Sequence, residues 1–210
     1  MIRILIADDH PLIRKGLGQI IEDATGLFIE GEASNGFEVL EKIQIKDFDV
    51  IILDISMPGL NGLEVLKQIK IVKPDIPVLI LSMYSEEQYA IRALKAGASG
   101  YLTKESAPEE LVSAIRKIIN GGKYISSSLA EILAYDFLGE KNKMPHELLS
   151  DREFQVLFMI ASGKTVSEIA DELFLSVKTV STYRSRLLGK MNLNNNTELV
   201  HYAFKNNIIK

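Results

Sequence analysis

The chain has 210 residues, 47% of them hydrophobic and 25% charged, a composition typical of one large globular domain or two small ones. It has no cysteine, which excludes disulfides and thiolate metal sites, and its three histidines are too few and scattered to favour a zinc cluster. The net charge of −4 argues against a generally basic, nucleic-acid-binding surface. Its apolar runs are far shorter than the roughly 18 residues of a membrane span, so we expect a cytoplasmic protein without a signal peptide or membrane partner.

Short apolar runs alternate five times with amphipathic stretches over residues 1–122. Such alternation predicts an α/β domain in which a doubly wound, five-stranded parallel sheet carries helices on both faces. We expect a flavodoxin-like strand order, 2-1-3-4-5. The predicted strands are 2–7, 27–33, 49–54, 77–82 and 99–103, and the predicted helices lie near 11–23, 36–46, 62–73, 86–96 and 109–120.

The pattern changes after Gly122. Residues 123–147 are predicted to be a linker with one helix, because an amphipathic stretch is followed by polar residues with glycine and proline. Residues 148–210 show only helical patterns, which predicts a small all-α domain of four helices. We therefore expect three segments, 1–122, 123–147 and 148–210. The four predicted helices of the last segment are 151–162, 166–173, 177–191 and 197–207.

Acidic residues end two of the predicted strands. Asp8 and Asp9 end the first strand and Asp54 ends the third. In the expected strand order these strands flank the point where the order reverses, and ligands of open parallel sheets bind beyond the strand ends at that point. Three carboxylates gathered there repel one another and require a cation or a raised pKa. Oxygen ligands with room for water suit Mg²⁺.

Other strand ends add groups that suit a phosphoryl site. Asp54 is a candidate nucleophile, metal ligand or both, since carboxylates form acyl phosphates. Lys104 follows the fifth strand and can neutralise a phosphoryl oxygen, and Ser82 ends the fourth strand and can donate a hydroxyl. One strand-end acid usually faces only water, but five suitable groups at one edge predict a phosphoryl acceptor. We interpret His10 as structural, because Pro11 beside it suggests that it opens the first helix.

Four motifs of the first 122 residues follow a known family in order and spacing. They are ADDH (7–10), IILDISMPGLNG (51–62), LS (81–82) and GYLTK (100–104). With these motifs, residues 1–122 resemble the receiver domain of bacterial response regulators. The resemblance implies phosphotransfer from a sensor histidine kinase to Asp54, in a protein that is not a turnover enzyme.

The same resemblance implies a metal site and a switch. Ser82 and Tyr101 are expected to move together on phosphorylation. One departure is Glu105, which stands where many receivers have a proline, often after a cis peptide bond. The implied Mg²⁺ ligands are Asp9, Asp54 and the carbonyl oxygen of Ser56, with Asp8 bound directly or through water.

Three stretches of the last segment also match a known family. They are LLSDREFQVL (148–157), GKTVSEIADELFLSVKTVSTYRSRLLGKM (163–191) and NTELVHYAF (196–204). With them, residues 147–210 resemble the LuxR-type helix-turn-helix, and the whole chain resembles the NarL/FixJ subfamily of response regulators. This resemblance implies that the protein binds double-stranded DNA.

The stretch 177–191 supports this interpretation by its own pattern. On a helix of roughly 100° per residue its apolar side chains, Val177 among them, share one side and short polar ones the other, which suits a major groove. Arg184 falls near the apolar side, and Lys190 is expected to pair with an acid such as Glu168. We expect Ser181, Thr182 and Ser185 to contact base edges and Lys178, Thr179 and Arg186 to hold phosphates.

Short side chains on this polar side discriminate bases weakly, each by less than the ~1–3 kcal/mol of a bidentate pair. We therefore expect a homodimer on paired half-sites, formed when the protein is phosphorylated. The family suggests the last helix as the dimer surface, with Val200 and Phe204 as candidates, although the same residues suit the core equally well. Phosphorylation is expected to shift dimerisation or domain release.

Two other functions compete with this one. A phosphatase with an aspartyl intermediate needs a second acid near its nucleophile, and Asp54-Ile55-Ser56 offers none. A dinucleotide enzyme is disfavoured because no GxGxxG follows the first strand. A DNA-binding protein that ignores phosphorylation is disfavoured by the full acidic set.

Overall fold

The structure, a computed structural model, describes residues 1–138 and 144–209, without the side chains of 135–138. The chain divides into two compact units, Met1–Leu138 and Gly139–Lys210. Part of the predicted polar linker, 139–143, falls outside the described residues. No helix in the described ranges is both long and apolar enough to cross a membrane.

The first unit is built on a five-stranded parallel sheet of order β2-β1-β3-β4-β5, which confirms the predicted fold. The central strands β3 and β4 are buried along their whole length and consist almost entirely of valine, isoleucine and leucine, as expected for a sheet covered on both faces. The strands are β1 (Ile2–Ala7), β2 (Leu27–Ala33), β3 (Val50–Asp54), β4 (Val78–Ser82) and β5 (Gly100–Thr103). The helices between and after them are α1 (Pro11–Glu22), α2 (Gly36–Ile45), α3 (Gly62–Val72), α4 (Glu86–Lys95) and α5 (Ala107–Ile119).

A further helix, α6 (Ser127–Leu138), belongs to this unit and contacts α4. Before it, the chain returns to the sheet, where the Tyr124 amide donates to the Ser99 carbonyl, 2.9 Å away. Ser126 Oγ accepts from the Leu129 amide at 3.0 Å and so caps the start of α6. The Leu129 side chain is fully buried, which anchors the first turn of α6 on the unit.

Over residues 144–209, the second unit contains four α-helices, as predicted. Each helix begins at a capping side chain that accepts a backbone hydrogen bond, and α9 packs on α7 and α8. The turn before α9 contains Phe174 at φ +54°, a conformation that bulky residues rarely adopt. A 3₁₀ turn spans Pro145–Leu148, and the helices are α7 (Asp151–Ala161), α8 (Val166–Glu172), α9 (Val177–Met191) and α10 (Asn196–Lys205).

Candidate functional site

Acidic side chains converge at the carboxyl edge of the sheet in the first unit. Strands β1 and β3 are neighbours in register, with Ala7 paired to Leu53, so the residues that follow them lie side by side. Ligand atoms of Asp8, Asp9, Asp54 and His10 all lie within 4.8 Å of one another, close enough to hold one metal ion. The structure thus brings together the three carboxylates that the sequence placed at strand ends.

Lys104 supplies a positive charge inside this cluster. Its Nζ lies 2.6 Å from Asp8 Oδ2 and 2.8 Å from Asp54 Oδ2, and its side chain is 5% exposed. Burial raises the pKa of Asp54 to about 6, although Lys104 opposes the rise. Burial lowers the pKa of Lys104, but the two carboxylates outweigh it and leave that pKa raised. One ammonium thus faces two buried carboxylates, and this imbalance favours a further cation.

His10 lies at the edge of the same cluster. It precedes α1, as predicted, and its backbone amide donates to Asp8 Oδ1 at 2.8 Å. Its ring also approaches the acids, with Nδ1 2.8 Å from Asp9 Oδ1 and 3.3 Å from Asp8 Oδ1. The interpretation of His10 as structural did not include the contact of its ring with the acids. Its position next to Asp8 and Asp9 in the sequence could have indicated that contact.

The loop after Asp54 fixes the position of this residue through backbone contacts. The Ser56 amide donates to Asp54 Oδ1 at 3.2 Å. Asn61 is fully buried and accepts from the Leu63 amide at 2.8 Å, which fixes the start of α3. A side chain at Gly62 would place its Cβ 2.1 Å from the Asp54 carbonyl oxygen, so only glycine fits there.

Ser82 and Tyr101 are joined to one loop, between β4 and α4. Ser82 is fully buried, and its Oγ accepts from the Tyr84 amide at 3.1 Å. Tyr101 is also fully buried, which raises the pKa of its phenol, and its hydroxyl donates to the Tyr84 carbonyl at 2.7 Å. The two side chains thus hold opposite ends of the Tyr84 backbone. The described residues contain no cis peptide bond, so the bond before Glu105 is trans.

The polar side of α9 forms a basic surface depression of about 320 Å³ in the second unit. Of the six residues predicted to contact DNA, five are exposed and Thr179 is half-buried against the cap of the helix, with its amide bonded to Ser176 Oγ at 3.0 Å. Ser181 and Ser185 lie exposed outside the depression. Its lining also includes Ser176 and Tyr183, which the helical pattern did not predict to contact DNA. The lining residues are Ser176, Lys178, Thr179, Thr182, Tyr183 and Arg186.

Two hydroxyl groups on this side are oriented by the helix itself. Thr182 Oγ1 donates to the Lys178 carbonyl at 2.9 Å, and Ser185 Oγ donates to the Ser181 carbonyl at 3.0 Å. With their protons directed into the helix, these oxygens present lone pairs outwards. The face therefore offers acceptors as well as positive charge.

The other two basic residues of α9 are held within the unit. Arg184 Nε donates to Asn196 Oδ1 at 2.6 Å. Lys190 pairs with Glu153 at 2.6 Å, and the expected partner Glu168 was wrong, because Glu168 caps α8 by accepting from Thr165.

The apolar side of α9 is buried apart from two residues. Tyr183 is half-buried and lines the depression, and Val177 is 51% exposed because it lies at the first turn beside the surface loop. On α10, Val200 is 37% exposed and Phe204 is 66% exposed, while Leu199 and Ala203 are fully buried. Val200 and Phe204 therefore lie at the surface of the unit, and the alternative that placed them in its core was wrong.

Comparison with known protein families gives two matches. The response regulator receiver domain matches residues 4–116, and the luxR family of bacterial regulatory proteins matches residues 147–203. The chain is 39% identical over 209 residues to the response regulator UvrY of Escherichia coli K12, covering 99% of this chain and 96% of that protein. It is also 39% identical over 210 residues to the response regulator GacA of Pseudomonas viridiflava, covering 100% and 98%.

Solved structures of similar fold include RcsB from Salmonella enterica serovar Typhimurium, bound to the promoter rprA in the presence of the phosphomimetic BeF₃⁻. The likeness has a TM-score of 0.66 at 27% sequence identity and covers 96% of this chain and 98% of that one. The response regulator ChrA of a heme-sensing two-component system is similar with a TM-score of 0.54 at 29% identity, over 99% and 98% of the two chains.

Proposed function

Because this chain belongs to the NarL/FixJ response regulators, which join a receiver domain to a LuxR-type DNA-binding domain, we propose that phosphorylation of Asp54 controls its DNA binding. The observation that carries the proposal is the buried Asp54 carboxylate, 2.8 Å from Lys104 and grouped with two further acids. We assign the receiver to residues 1–122, the linker to 123–147 and the output domain to 148–210.

The proposed reaction takes a phosphoryl group from a phosphohistidine of a sensor kinase. An Asp54 carboxylate oxygen bonds to phosphorus as the phosphorus–nitrogen bond breaks, and the bonding pair returns to the imidazole. With a pKa of about 6, Asp54 is mostly ionised at neutral pH and can act as the nucleophile. Lys104 Nζ forms a direct ion pair with Asp54 Oδ2, so its charge is available to offset that of phosphoryl oxygens on Asp54.

The oxygen-rich cluster also fits Mg²⁺, held by Asp8, Asp9, Asp54 and the Ser56 carbonyl. When bound, Mg²⁺ supplies positive charge that neutralises both the carboxylates and the phosphoryl oxygens. An acceptor of this kind serves a signal, and we do not assign the protein a turnover reaction on an external substrate.

Ser82 and Tyr101 are the proposed switch. A phosphoryl oxygen on Asp54 attracts the Ser82 hydroxyl, and Ser82 is bonded to the Tyr84 amide. Tyr101 holds the Tyr84 carbonyl from its buried position, so phosphorylation favours one arrangement of the loop before α4. Moving such an equilibrium from 1:99 to 99:1 requires about 5.5 kcal/mol, so we expect partial activation.

The proposed output is promoter binding by a cytoplasmic homodimer. We assign Lys178, Thr179 and Arg186 to phosphates, because all three line the basic depression on α9. Ser181, Thr182 and Ser185 are assigned to base edges because all three are exposed. The hydroxyls of Thr182 and Ser185 donate to helix carbonyls, which leaves their oxygens as acceptors. The exposed Val200 and Phe204 on α10 are proposed to form the dimer contact.

Labelling with radioactive acetyl phosphate tests the acceptor. Full-length protein with Mg²⁺ should take up label, and Asp54→Asn should take up none. Asp75→Asn, at an exposed acid in the same unit, is the control and should label normally. Label retained in Asp54→Asn would contradict the assignment, and steady release of phosphate from small esters would instead favour a phosphatase.

A binding experiment tests the dimer. The phosphorylated full-length protein should bind paired half-sites more tightly than a single half-site, by at least about tenfold, and Phe204→Ala should reduce that advantage. Equal affinity for single and paired half-sites would contradict the dimer proposal while leaving the acceptor intact.

A further inference from the structure

One carboxylate joins the N-terminal turn of α4 to the N-terminal turn of α6. Ser126 Oγ donates to Glu86 Oε1 at 2.6 Å, and Ser128 Oγ makes a short hydrogen bond to Glu86 Oε2. Both oxygens of Glu86 therefore bond to residues at the start of α6, some 40 positions along the chain.

The arrangement suits a negative charge. The first turn of a helix carries unpaired amide groups and a partial positive charge, and Glu86 lies at this end of both α4 and α6. Its partner Ser126 also accepts from the Leu129 amide, so the same hydroxyl caps α6 and binds Glu86. The Leu129 side chain in the same turn is fully buried, so polar bonds and apolar burial together fix the start of α6.

Glu86 lies at the end of the loop that the proposed switch controls. Tyr84, two residues earlier, is bonded through its amide to Ser82 and through its carbonyl to Tyr101. The Tyr101 hydroxyl also lies 3.5 Å from the Ser85 carbonyl. Because Glu86 is the first residue of α4, the position of its carboxylate depends on how this loop is held.

We propose that Glu86 is a positioning residue that transmits the phosphorylation state of Asp54 to α6. The inference rests on the proposed function and specifies its regulation. Phosphorylation stabilises the arrangement with Tyr101 buried, and in that arrangement Glu86 binds both serines and α6 is held on α4. Because α6 is the last helix of the first unit along the chain, its docking on α4 is the step by which the receiver acts on the residues that follow.

Hydrogen exchange of the full-length protein, with and without acetyl phosphate and Mg²⁺, tests the proposal. Phosphorylation should slow exchange of the 129–134 amides by at least about fivefold, the effect of a hydrogen bond worth about 1 kcal/mol. Glu86→Gln, which removes the charge and one acceptor, should reduce that protection to less than about twofold. Ser128→Ala should reduce it partly, without touching the cap of α6.

Two controls separate this role from a general effect on stability. Glu109→Gln removes the same charge from the first turn of α5, and Ser127→Ala removes an exposed hydroxyl from the same turn of α6; both should keep the protection. Tyr101→Phe, which removes the bond to the Tyr84 carbonyl, should lose it as Glu86→Gln does.

The outcomes are distinguishable from those of the acceptor test. Glu86→Gln should still accept label on Asp54, because Glu86 lies outside the acidic cluster. If Glu86→Gln accepted label normally and kept full protection of α6, this inference alone would be overturned. The same holds if the wild type accepted label but showed no protection of α6. Loss of labelling in the wild type would overturn the proposed function.

Discussion

Lys104 and Asp54 form a buried ion pair, with Nζ 2.8 Å from Oδ2 and side chains that are 5% and 1% exposed. The same ammonium also binds Asp8, so it is shared between two carboxylates. Burial and the neighbouring Asp8 raise the pKa of Asp54 more than Lys104 lowers it, and the pKa is about 6. Asp54 is thus ionised at neutral pH at a cost to the stability of the folded protein, and this cost is measurable.

The first prediction concerns pH and Asp54. The folded pKa of about 6 lies above the ordinary value of 3.8, so the folded protein binds the proton more tightly. Stability from this group is therefore full below about pH 4 and is lost as pH rises through about 6. With a metal chelator present, the free energy of unfolding of Asp54→Asn, measured with urea, should exceed that of wild type by up to about 3 kcal/mol at pH 7.5. At pH 4 the two free energies should be equal. Asp75→Asn should follow wild type, and parallel profiles for wild type and Asp54→Asn would contradict the prediction.

The second prediction concerns Glu153, which is 3% exposed. Burial raises its pKa, but bonds from Lys190 and Ser150 more than offset this and leave the pKa below its ordinary value of 4.5. The stabilisation is therefore present above about pH 4.5 and lost as pH falls through the folded pKa. Glu153→Gln should cost about 1–3 kcal/mol at pH 7 and little at pH 3, by thermal unfolding of the full chain.

Glu172 provides the matched control. It pairs with Lys164 at the surface, where its side chain is 49% exposed, so Glu172→Gln should cost less than about 1 kcal/mol at either pH. Equal penalties at the two sites would show that the buried position of Glu153 adds nothing.

The third prediction concerns salt and the basic depression on α9. Lys178→Ala and Arg186→Ala should each weaken binding to duplex DNA of any sequence and reduce the slope of log affinity against log salt by about 0.9. Ser181→Ala should leave that slope unchanged and alter only the preference among sequences. Lys205→Ala, an exposed basic residue on α10, is the control for lost charge and should leave the slope unchanged. A slope unchanged by Lys178→Ala or Arg186→Ala would remove that residue from the phosphate contacts.

The fourth prediction compares two glycines. A Cβ at Gly62 would lie 2.1 Å from the Asp54 carbonyl and 2.7 Å from the Ile55 Cα, both backbone atoms. Gly62→Ala should therefore cost at least about 3 kcal/mol, or displace Asp54 and slow its labelling. A Cβ at Gly189, inside α9, meets no atom within 4 Å, so Gly189→Ala should stabilise by up to about 1 kcal/mol. Equal stabilities for the two variants would be inconsistent with this packing.

The sequence predicted the sheet and the acidic edge well because both follow from local pattern. A buried parallel strand is a short apolar run, and Asp54 sits where such a run ends, so its neighbours could be inferred from strand order alone. The apolar periodicity of α9 likewise separated its buried side from its polar side, except that Val177 is exposed at the first turn and Tyr183 lines the depression.

Contacts between distant residues could not be predicted in the same way. The choice of Glu153 over Glu168 as the partner of Lys190 depends on how α7 packs on α9, and periodicity carries no information about it. The hydrogen bonds of Glu86 to Ser126 and Ser128 join segments that pattern analysis treats separately. His10 was underestimated for a related reason, since its backbone role was visible in the sequence while its ring position was not.

Grafting this receiver onto a foreign output domain depends on where the chain is cut. A junction after Gly122, where the strand–helix alternation ends, would remove Ser126, Ser128 and Leu129. The Glu86 carboxylate would then face water, and the surface that Leu129 covers would be open to aggregation. A chimaeric biosensor joined beyond Leu138 would keep α6 and its bonds to Glu86. The proposed response of α6 to phosphorylation would then be transferred together with Asp54.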